Sequence, residues 1–368
     1  MRIALALSSM GGGGAERVAA TLANQWSDDG HDVTIVATFS GRGEVSYALN
    51  PSVGLEHLAD QTTTRLSRSP PGRLVQLRRT LMRLQPDIVL SFLTNVNVAT
   101  ILAMKGSGIP VVVSERTYPP LYDPGRSWRV LRRMVYSQAD RVVMQTDRGL
   151  QWLHDHIPRA RGVAIPNPVR FPMTAAPPLR PPPDVVPLRV PVLLAVGRLS
   201  PEKQFHKLID AFALSTPRLP YHHLVILGEG PERAALVQRA RDTGLVDRIH
   251  LPGSAGNLDD WYRRASGFLS CSRFEGFPNS LMEAICYELP VIAFDCPTGP
   301  AELVEDGSNG FLLPMTSTRE AFATAIIDLV ETPWPRNGWR SEDFRSKLRS
   351  EVIARQWIEL FHSVMTDP

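Results

Sequence analysis

Short runs of apolar and β-branched residues alternate with amphipathic segments along the whole chain, and this alternation limits the possible folds more than any other feature. The segment at 15–26 has the helical period, with Val18, Leu22 and Trp26 on one face. Strands that are apolar throughout and separated by such helices indicate parallel sheets covered on both faces. The runs fall at 2–8, 32–39, 87–92, 110–115, 140–146 and 162–167, then at 190–198, 223–230, 248–253, 267–272, 290–295 and 310–314. We therefore predict an α/β fold with two doubly wound, Rossmann-like domains.

A proline-rich segment separates the two sets of strands. Residues 170–187 contain seven prolines, and proline continues neither a helix nor a central strand. We interpret this segment as a stiff linker between an N-terminal domain at 1–169 and a C-terminal domain at 188–345. The end of the chain, 346–368, is expected to form a helix that crosses back to the N-terminal domain. In open α/β sheets ligands bind at the carboxyl ends of the strands, so we expect a site in a cleft between the domains.

Charge is unevenly distributed along the chain. The formal net charge is +3, yet residues 1–168 hold 19 Lys and Arg against 13 Asp and Glu. Arginines cluster at 65–83 and at 126–133, which suits an anionic lipid surface or a phosphorylated substrate, or is simply a solvated surface. No predicted basic strand carries interspersed aromatic residues on which bases could stack, so we expect no nucleic-acid partner.

The cysteines and the apolar runs bear on localisation. Cys271, Cys286 and Cys296 lack metal-ligand spacing, and such a sparse, odd set fits a reducing cytoplasm. No apolar run approaches the roughly 20 residues that span a bilayer. We therefore expect a cytoplasmic protein.

A glycine run follows the first predicted strand and precedes the first helix, within SSMGGGGAERV at 8–18. Such a loop lets a ligand approach backbone N–H groups closely. The dinucleotide fingerprint fails, because Glu16 and Arg17 stand where its last glycine is required, and no Gly-Lys-Ser/Thr follows. Gly12, Gly13 and Gly14 are consequently candidates for contact with a ligand, the alternative being a tight turn.

Basic residues and glycines also follow the strands of the second half. Arg198 ends a buried strand and Lys203 is expected to begin the next helix, where both can hold phosphate oxygens. The alternative for Lys203 is an ordinary solvated helix start. Gly228, Gly230 and Leu251 lie in strand-end turns that suit a base and a ribose lying against the backbone.

Two glutamates flank a turn in SRFEGFPNSLMEAI at 272–285. Ser280 and Glu283 have the spacing of a capping box, which would explain Glu283 structurally. Glu275 has no such explanation, because it precedes a Gly-Phe-Pro turn at the end of an apolar strand. The free N–H groups of the following helix would favour an anion such as a diphosphate at the same place.

Taken in order, these motifs resemble the retaining GT-B glycosyltransferases of family 4, also called group 1. The resemblance is carried by GR-x4-K from Arg198 to Lys203, the GEGPER turn, the Glu275-x7-Glu283 pair, the following PVIAFDCPTGPAELVEDGSNGFLL and the GGGGAERV loop. It covers nearly the whole chain. The GGxGAER, SERT and CPTGPAE segments are most similar to those of bacterial surface-polysaccharide transferases of the amylovoran and capsule type.

The resemblance implies a role for each residue of the motifs. Arg198 and Lys203 would hold the donor diphosphate as it leaves, and Glu275 would contact the donor sugar and support positive charge at the anomeric carbon. Glu283 would bind the ribose hydroxyls. The backbone that would contact the donor sugar and phosphates belongs to Gly276, Phe277, Pro278, Asn279, Ser280 and Leu281. No Asp-x-Asp pair occurs in the sequence, which fits a metal-independent enzyme without a cofactor.

The chain departs from this family at one place. Many relatives carry a histidine after the fourth N-terminal strand, where this chain has Glu115 and Arg116. Either residue would take over acceptor-side duties if it faced the cleft. The alternative is a buried ion pair between these two neighbours or with the linker.

The resemblance also implies a substrate class and partners. We expect transfer of a hexose or N-acetylhexosamine, from a nucleotide sugar that is most simply UDP-linked, in surface-polysaccharide biosynthesis. The acceptor would be a saccharide or a polyprenyl-diphosphate-linked saccharide. The basic N-terminal domain would then meet the inner face of the membrane. The main alternative is a GT-B sugar-nucleotide epimerase, while a dehydrogenase or a non-catalytic sugar-binding protein fits the motifs less well.

Overall fold

The computed structural model describes residues 1–38, 45–61, 69–334 and 341–366. The chain divides into two compact units, one made of 1–168 with 348–368 and the other of 169–347. Each unit is built on one parallel sheet with helices, as the alternation of apolar runs predicts.

The first unit contains a seven-stranded sheet in the order β3-β2-β1-β4-β5-β6-β7, with every pair parallel. The strands are β1 Arg2–Leu7, β2 Asp32–Ala37, β3 Gly54–His57, β4 Ile88–Phe92, β5 Val111–Ser114, β6 Arg141–Met144 and β7 Gly162–Ala164. The helices are α1 Gly14–Asp28, α2 Leu58–Gln61, α3 Pro70–Leu84, α4 Thr94–Met104, α5 Arg126–Val135 and α6 Asp147–His156. The strand order reverses between β1 and β4. All six predicted strands and the predicted first helix are present.

The sequence analysis missed β3. Its residues are only half buried, and it lies at the edge of the sheet, where it pairs with β2 alone. The segment Gly-Leu-Glu-His lacks the apolar run by which the buried strands are recognised.

The second unit contains a six-stranded parallel sheet in the order β10-β9-β8-β11-β12-β13. The strands are β8 Val192–Val196, β9 His223–Leu227, β10 Ile249–Gly253, β11 Gly267–Ser270, β12 Val291–Phe294 and β13 Gly310–Leu313. The helices are α7 Phe205–Ser215, α8 Arg233–Asp242, α9 Leu258–Arg264, α10 Asn279–Cys286, α11 Pro300–Leu303, α12 Arg319–Glu331 and α13 Ser341–Leu348. Here the order reverses between β8 and β11. The six runs of the second half thus also form strands, as predicted.

The last helix, α14 at Ser350–Thr366, belongs to the first unit and packs on α1. Trp26 lies at the centre of this contact, where its ring is fully buried. Its Nε1 donates to the backbone oxygen of Ala354 over 3.2 Å, and its ring meets those of Trp357 and Phe361 at centroid distances of 6.5 Å and 5.6 Å. Burying a ring of this size contributes about 1.5–3 kcal/mol.

Candidate functional site

The strand order of the second unit brings two of the sequence motifs together. The loop after β8 carries Lys203 and the loop after β11 carries Glu275, and these strands are neighbours on either side of the point where the order reverses. In open α/β sheets this reversal opens a crevice at the carboxyl ends of the strands. The fold therefore brings residues 72 positions apart to one edge of the sheet.

Lys203 and Glu275 form an ion pair in this crevice. Lys203 Nζ donates to Glu275 Oε1 over 2.5 Å, and Ser272 Oγ donates to the same oxygen over 2.6 Å. The side chains are 20% and 12% exposed, so the pair is only partly screened by water. Among the described residues, none donates a hydrogen bond to Glu275 Oε2. One carboxylate oxygen is thus fixed by the protein while the other is available to a ligand.

The backbone around Glu275 is also fixed. Thr298 Oγ1 donates to the backbone oxygen of Glu275 over 2.5 Å, and the backbone N–H of Arg273 donates to the backbone oxygen of Glu202 over 2.7 Å. The second contact ties the loop after β11 to the loop after β8. Both loops are therefore held in place before any ligand binds.

Lys203 does not begin the next helix, as the sequence analysis expected. It ends a 3-10 turn at Pro201–Lys203, and α7 begins at Phe205 after Gln204, whose φ of 51° is left-handed. This extra turn directs Lys203 back towards β11. The ion pair with Glu275 also rules out the reading of Lys203 as an ordinary solvated helix start.

Arg198 lies in the same loop and is exposed. Its guanidinium makes no ion pair or side-chain hydrogen bond within the part of the chain that the structure describes. The loop itself is ordered, because the N–H of Leu199 donates to the backbone oxygen of Glu229 over 2.9 Å. Arg198 therefore presents five unpaired donors from a fixed backbone position.

The glycines after β9 lie against the loop after β8. A Cβ on Gly228, whose φ is 144°, would lie 1.9 Å from the backbone oxygen of Gly197, and one on Gly230 would lie 2.3 Å from that of Leu199. Packing between neighbouring loops thus requires both glycines. The backbone oxygen of Leu251 accepts a hydrogen bond from Arg233 over 2.9 Å. The contact of these three residues with a nucleoside stays a prediction.

The capping-box interpretation of Ser280 and Glu283 is wrong. Helix α10 begins at Asn279 after Pro278, which has no side-chain acceptor, so Ser280 lies inside the helix. Glu283 is 5% exposed, and its Oε2 accepts a hydrogen bond from Tyr262 over 2.8 Å. The Tyr262 hydroxyl also lies 3.2 Å from the backbone oxygen of Ser280. Tyr262 therefore orients the first turn of α10 and the carboxylate together.

Gly276, Phe277 and Leu281 complete the stretch between the two glutamates. Phe277 and Leu281 are buried, while Gly276 is half buried. Gly299, with φ of 94°, lies under Pro278, because a Cβ there would come 2.3 Å from Pro278 Cδ. The turn that opens α10 is thus packed against the loop after β12.

In the first unit the glycine loop precedes α1, which begins at Gly14. Tyr47 donates to the backbone oxygen of Gly13 over 3.0 Å, and Ser9 donates to Glu16 over 3.2 Å. A Cβ on Gly13 would come 2.1 Å from Glu16 Oε2, so a side chain here would displace the Glu16 carboxylate, which is the far end of a flexible side chain. Gly12 has room for a Cβ, its nearest neighbour being Ser46 Oγ at 3.7 Å.

Glu115 and Arg116 are both buried, and each turns to different partners. Glu115 is 1% exposed, accepts hydrogen bonds from Tyr136 over 2.6 Å and from Thr94 over 2.9 Å, and pairs with Arg132 at 3.5 Å. Glu115 is therefore in a buried ion pair, but its partner is Arg132 of α5 and not its neighbour Arg116 or the linker, as the alternative had it. The burial of Tyr136, and after it the neighbouring Glu115 carboxylate, raises the pKa of that phenol well above its ordinary value.

Three residues of the site were not selected by the sequence analysis. Tyr262 lies outside the motifs, while Ser272 and Thr298 lie within two of the quoted segments; each bonds to Glu275 or Glu283. Tyrosine, serine and threonine are common in helices and loops, so spacing alone could not select them. Ser272 is a near neighbour of Glu275 in sequence, whereas the fold brings Tyr262 and Thr298 to the glutamates.

Two features are absent from the ranges that the structure describes. Within them no group of three or more His, Cys, Asp or Glu side chains could hold a metal ion. No helix in the same ranges combines the length and the apolarity needed to cross a bilayer. The three cysteines are free and buried, and burial raises the pKa of each to about 12.

Two parallel Rossmann-like sheets, with a cation–carboxylate pair at the switch point of the second, define the GT-B glycosyltransferase class. Sequence comparison is consistent with this class: residues 12–171 match the family described as Glycosyltransferase Family 4, and residues 183–346 match Glycosyl transferases group 1. The chain belongs to this family 4, group 1 set of glycosyltransferases.

Individual relatives cover most of the chain at modest identity. The amylovoran biosynthesis glycosyltransferase AmsD of Erwinia amylovora is 25% identical over 95% of this chain and 96% of its own length. An α-1,4-N-acetyl-D-galactosaminyltransferase of Campylobacter jejuni, named for an undecaprenol-diphosphate-linked substrate, is 26% identical over 85% of this chain and 84% of its own. An exopolysaccharide phosphotransferase of Streptomyces coelicolor is 26% identical over 96% of this chain, which spans only 40% of that protein.

Solved structures share the fold. A sucrose-phosphate synthase from Thermosynechococcus elongatus superposes with a TM-score of 0.82 over 100% of both chains at 17% identity. The Anabaena protein HepE in complex with UDP and glucose gives a TM-score of 0.78 at 20% identity, over 99% of this chain and 100% of its own.

Proposed function

We propose that this glycosyltransferase moves a hexose or N-acetylhexosamine, with retention, from a UDP-sugar to a saccharide or lipid-linked saccharide. The observation that carries the proposal is the group of Arg198, Lys203 and Glu275 at the switch point of the second unit. The UDP bound to HepE and the lipid-linked substrate named for the Campylobacter jejuni relative support the donor and acceptor classes. The relatives in polysaccharide synthesis support a role in making surface glycans.

The chemistry of such a transfer suits these groups. When a nucleoside diphosphate leaves, negative charge grows on its oxygen and positive charge grows on the sugar ring. Arg198 and Lys203 would stabilise the first, together with the N–H groups at the start of α10. Glu275 would stabilise the second through Oε2. No step requires a metal, because cations of the protein take the diphosphate.

The Lys203–Glu275 pair also bears on how the donor diphosphate would bind. Without a ligand, Glu275 neutralises Lys203, so the crevice does not hold an unpaired cation at this position. A bound diphosphate would be a second anionic partner of Lys203, beside Glu275. The hydrogen bonds that Lys203 donates to it would be charge-assisted. Arg198 would supply the additional donors without losing a protein partner.

A thermal-shift screen tests the donor assignment. A ligand that binds only the folded chain raises the unfolding temperature according to its affinity and concentration. We expect UDP to stabilise the wild type more than GDP does, and Arg198→Ala to remove most of the shift. Equal shifts from UDP and GDP would overturn the UDP assignment, and no shift from any nucleotide would overturn nucleotide-sugar use.

Incubation of a UDP-sugar without an acceptor tests the reaction type. A transferase leaves the sugar configuration of the donor unchanged, whereas an epimerase converts it. We expect only slow release of UDP in the absence of an acceptor. Conversion of the donor sugar would overturn the proposal.

We also propose that the first unit contacts an anionic membrane surface. The exposed face of α5 carries Arg126, Arg129 and Arg133 with Val130 and Met134. Arginines near such a surface contribute about 1 kcal/mol each, and the two apolar side chains would enter the headgroup region.

The proposed membrane-binding surface of α5 does not include every arginine of the two sequence clusters. Arg132 was counted in the sequence cluster but is buried against Glu115, so it is not part of this surface. Arg65 and Arg68 lie outside the described residues.

Vesicle flotation at low salt tests the membrane proposal. We expect vesicles containing phosphatidylserine to recruit the wild type, and the variant Arg126→Ser, Arg129→Ser, Arg133→Ser to remain unbound. Recruitment of both proteins to equal extents, or of neither, would refute it.

A further inference from the structure

A buried arginine without an anionic partner lies at the carboxyl ends of β5 to β7 in the first unit. Arg116 is 7% exposed, and its guanidinium stacks on the ring of Phe92 at 4.3 Å. Its Nη2 donates to Asn167 Oδ1 over 2.5 Å, and its Nη1 lies 3.3 Å from Ser114 Oγ. All of these partners are neutral. Burial without a countercharge lowers the pKa of this guanidinium to about 9.

A second buried arginine in the same unit has an anionic partner, as buried arginines ordinarily do. Arg132 is 5% exposed and pairs with Glu115, so its charge is compensated inside the protein. Burying a charge without such a partner costs several kcal/mol, and proteins seldom retain one that is not used. Arg116 is adjacent to Glu115 in sequence, yet the carboxylate turns to Arg132 and Tyr136 instead.

Two polar atoms of this cluster have no partner. Eight buried side-chain nitrogens and oxygens in the described ranges lack a hydrogen bond, and two of them, Arg116 Nε and Gln145 Oε1, belong to residues that share Asn167. Gln145 Nε2 donates to Asn167 Oδ1 over 2.6 Å, so the same oxygen holds both side chains. The cluster thus contains an unpaired cationic donor and an unpaired neutral acceptor on two residues that share one hydrogen-bond acceptor.

The backbone beside the cluster is strained. Leu93 follows Phe92 and has φ of 77° and ψ of 139°, which a leucine rarely adopts. Such strain persists where surrounding contacts enforce it and is concentrated at binding sites. The N–H of Leu93 donates to the backbone oxygen of Ser114 over 3.2 Å, which ties the strained residue to the strand end that carries Arg116.

We propose that Arg116, Gln145 and Asn167 form an anion-binding subsite of the first unit, which takes an anionic group of the acceptor. The anionic group would accept from Arg116 Nε, and a neighbouring hydroxyl would donate to Gln145 Oε1. A sugar that bears a phosphate, or a carboxylate as in a uronic acid, has both features. The assignment of this anion to the acceptor rests on the proposed glycosyl transfer, whereas the binding of an anion here does not.

Stability of two arginine variants gives a first, ligand-free test. Arg116→Met removes an uncompensated charge and leaves an apolar side chain next to Phe92, so we expect its unfolding temperature to equal or exceed that of the wild type. Arg132→Met leaves Glu115 buried without its cation, so we expect a clear decrease. A decrease for Arg116→Met as large as that for Arg132→Met would show that Arg116 is structural and would overturn the proposal.

Direct binding is the decisive test. The full-length chain is saturated with UDP, so that the second unit is occupied, and is titrated by calorimetry with N-acetylglucosamine 1-phosphate, glucuronate or N-acetylglucosamine. We expect at least one of the two anionic sugars to bind, and the neutral sugar to bind at least about tenfold more weakly, as the loss of one charged hydrogen bond implies. Whichever anionic sugar binds more tightly identifies the anion. No binding of either would overturn the proposal.

Variants separate this subsite from the donor site. Arg116→Met should lose at least about tenfold in affinity for the anionic sugar and retain UDP binding. Arg116→Lys, which keeps the charge but lacks the planar fork, should fall between the two. Arg198→Ala should bind UDP more weakly yet retain its affinity for the anionic sugar. Unchanged affinity in Arg116→Met would overturn the subsite, while a failure of UDP to bind the wild type would overturn only the proposed donor.

Discussion

Lys203 Nζ and Glu275 Oε1 lie 2.5 Å apart, although 72 residues separate them in sequence. The reversal of strand order between β8 and β11 brings their loops together, and Ser272 holds the same oxygen from the other side. The pair joins two of the sequence motifs, since Lys203 and Glu275 are partners of each other in this structure. It also leaves one oxygen of Glu275 unoccupied by the described residues.

Replacing Glu275 should separate catalysis from nucleotide binding. Glu275→Gln keeps the shape of the side chain but removes the charge that would stabilise a cationic sugar ring. We expect turnover to fall about 10²–10³-fold, the scale of one electrostatic contact in a transition state. Glu275→Ala should abolish turnover while nucleotide binding stays measurable, because both variants leave Lys203 and Arg198 in place.

Ser272→Ala provides the matched control for these variants. It removes one hydrogen bond to the carboxylate, worth about 0.5–1.5 kcal/mol, and keeps the charge. Wild-type turnover in Glu275→Ala would contradict the catalytic assignment.

Arg198→Ala should weaken binding of a nucleoside diphosphate by about 1.5–3 kcal/mol, the range of a hydrogen bond to a charged group. The residue is exposed and unpaired within the described ranges, so the fold should not change. Calorimetric titration with UDP measures the effect. Arg218→Ala is the control, because Arg218 pairs with Glu331 at the surface and should leave the affinity for UDP unchanged. A titration in which both variants bind like the wild type would count against the phosphate role.

Much of the fold could be predicted from the sequence, because buried parallel strands are continuous apolar runs. The edge strand β3 could not, since its half-buried residues carry no such run. In the site, positions at the ends of predicted strands and the family resemblance pointed to Arg198, Lys203 and Glu275 but not to their contacts. Contacts depend on how loops from different strands pack, which local sequence does not encode.

The wrong assignments at Ser280 and at Glu115 have the same cause, because both depend on contacts that local sequence does not encode. A capping box at Ser280 satisfies every local rule, but the cap position lies two residues earlier, at Pro278. Glu115 and Arg116 are neighbours in one loop, yet they turn to separate partners, which a residue pattern cannot reveal.

Glycine at 228 should be more important for stability than glycine at 244. Both have positive φ, which costs a residue with a Cβ about 1 kcal/mol, but only a Cβ at 228 would also collide with a backbone oxygen, that of Gly197. We therefore expect Gly244→Ala to lower the free energy of unfolding by about 1 kcal/mol and Gly228→Ala by more. Urea denaturation measures both, and equal losses would contradict the packing requirement.

Two histidines at the start of β9 and β10 should make the second unit less stable in acid. His223 Nδ1 and His250 Nε2 lie 2.9 Å apart in stacked rings, and burial lowers the pKa of both below the ordinary 6.5. Arg248 and Arg264 act in the same direction on His223, while Asp247 opposes it at His250. His222, which is also beside Arg248, has its pKa lowered as well.

The unfolded chain therefore binds more protons than the folded chain as the pH falls through 6.5, and the free energy of unfolding decreases over this range. The stabilisation is complete above pH 6.5 and declines towards the lowered folded pKa. Urea denaturation at pH 7.5, 6.5 and 5.5 should show this decline in the wild type. The double variant His223→Gln, His250→Gln should show a smaller one, because glutamine does not titrate and only His31, His206 and His222 remain among the described histidines whose pKa is lowered. Identical pH profiles for the two proteins would show that the pair does not contribute.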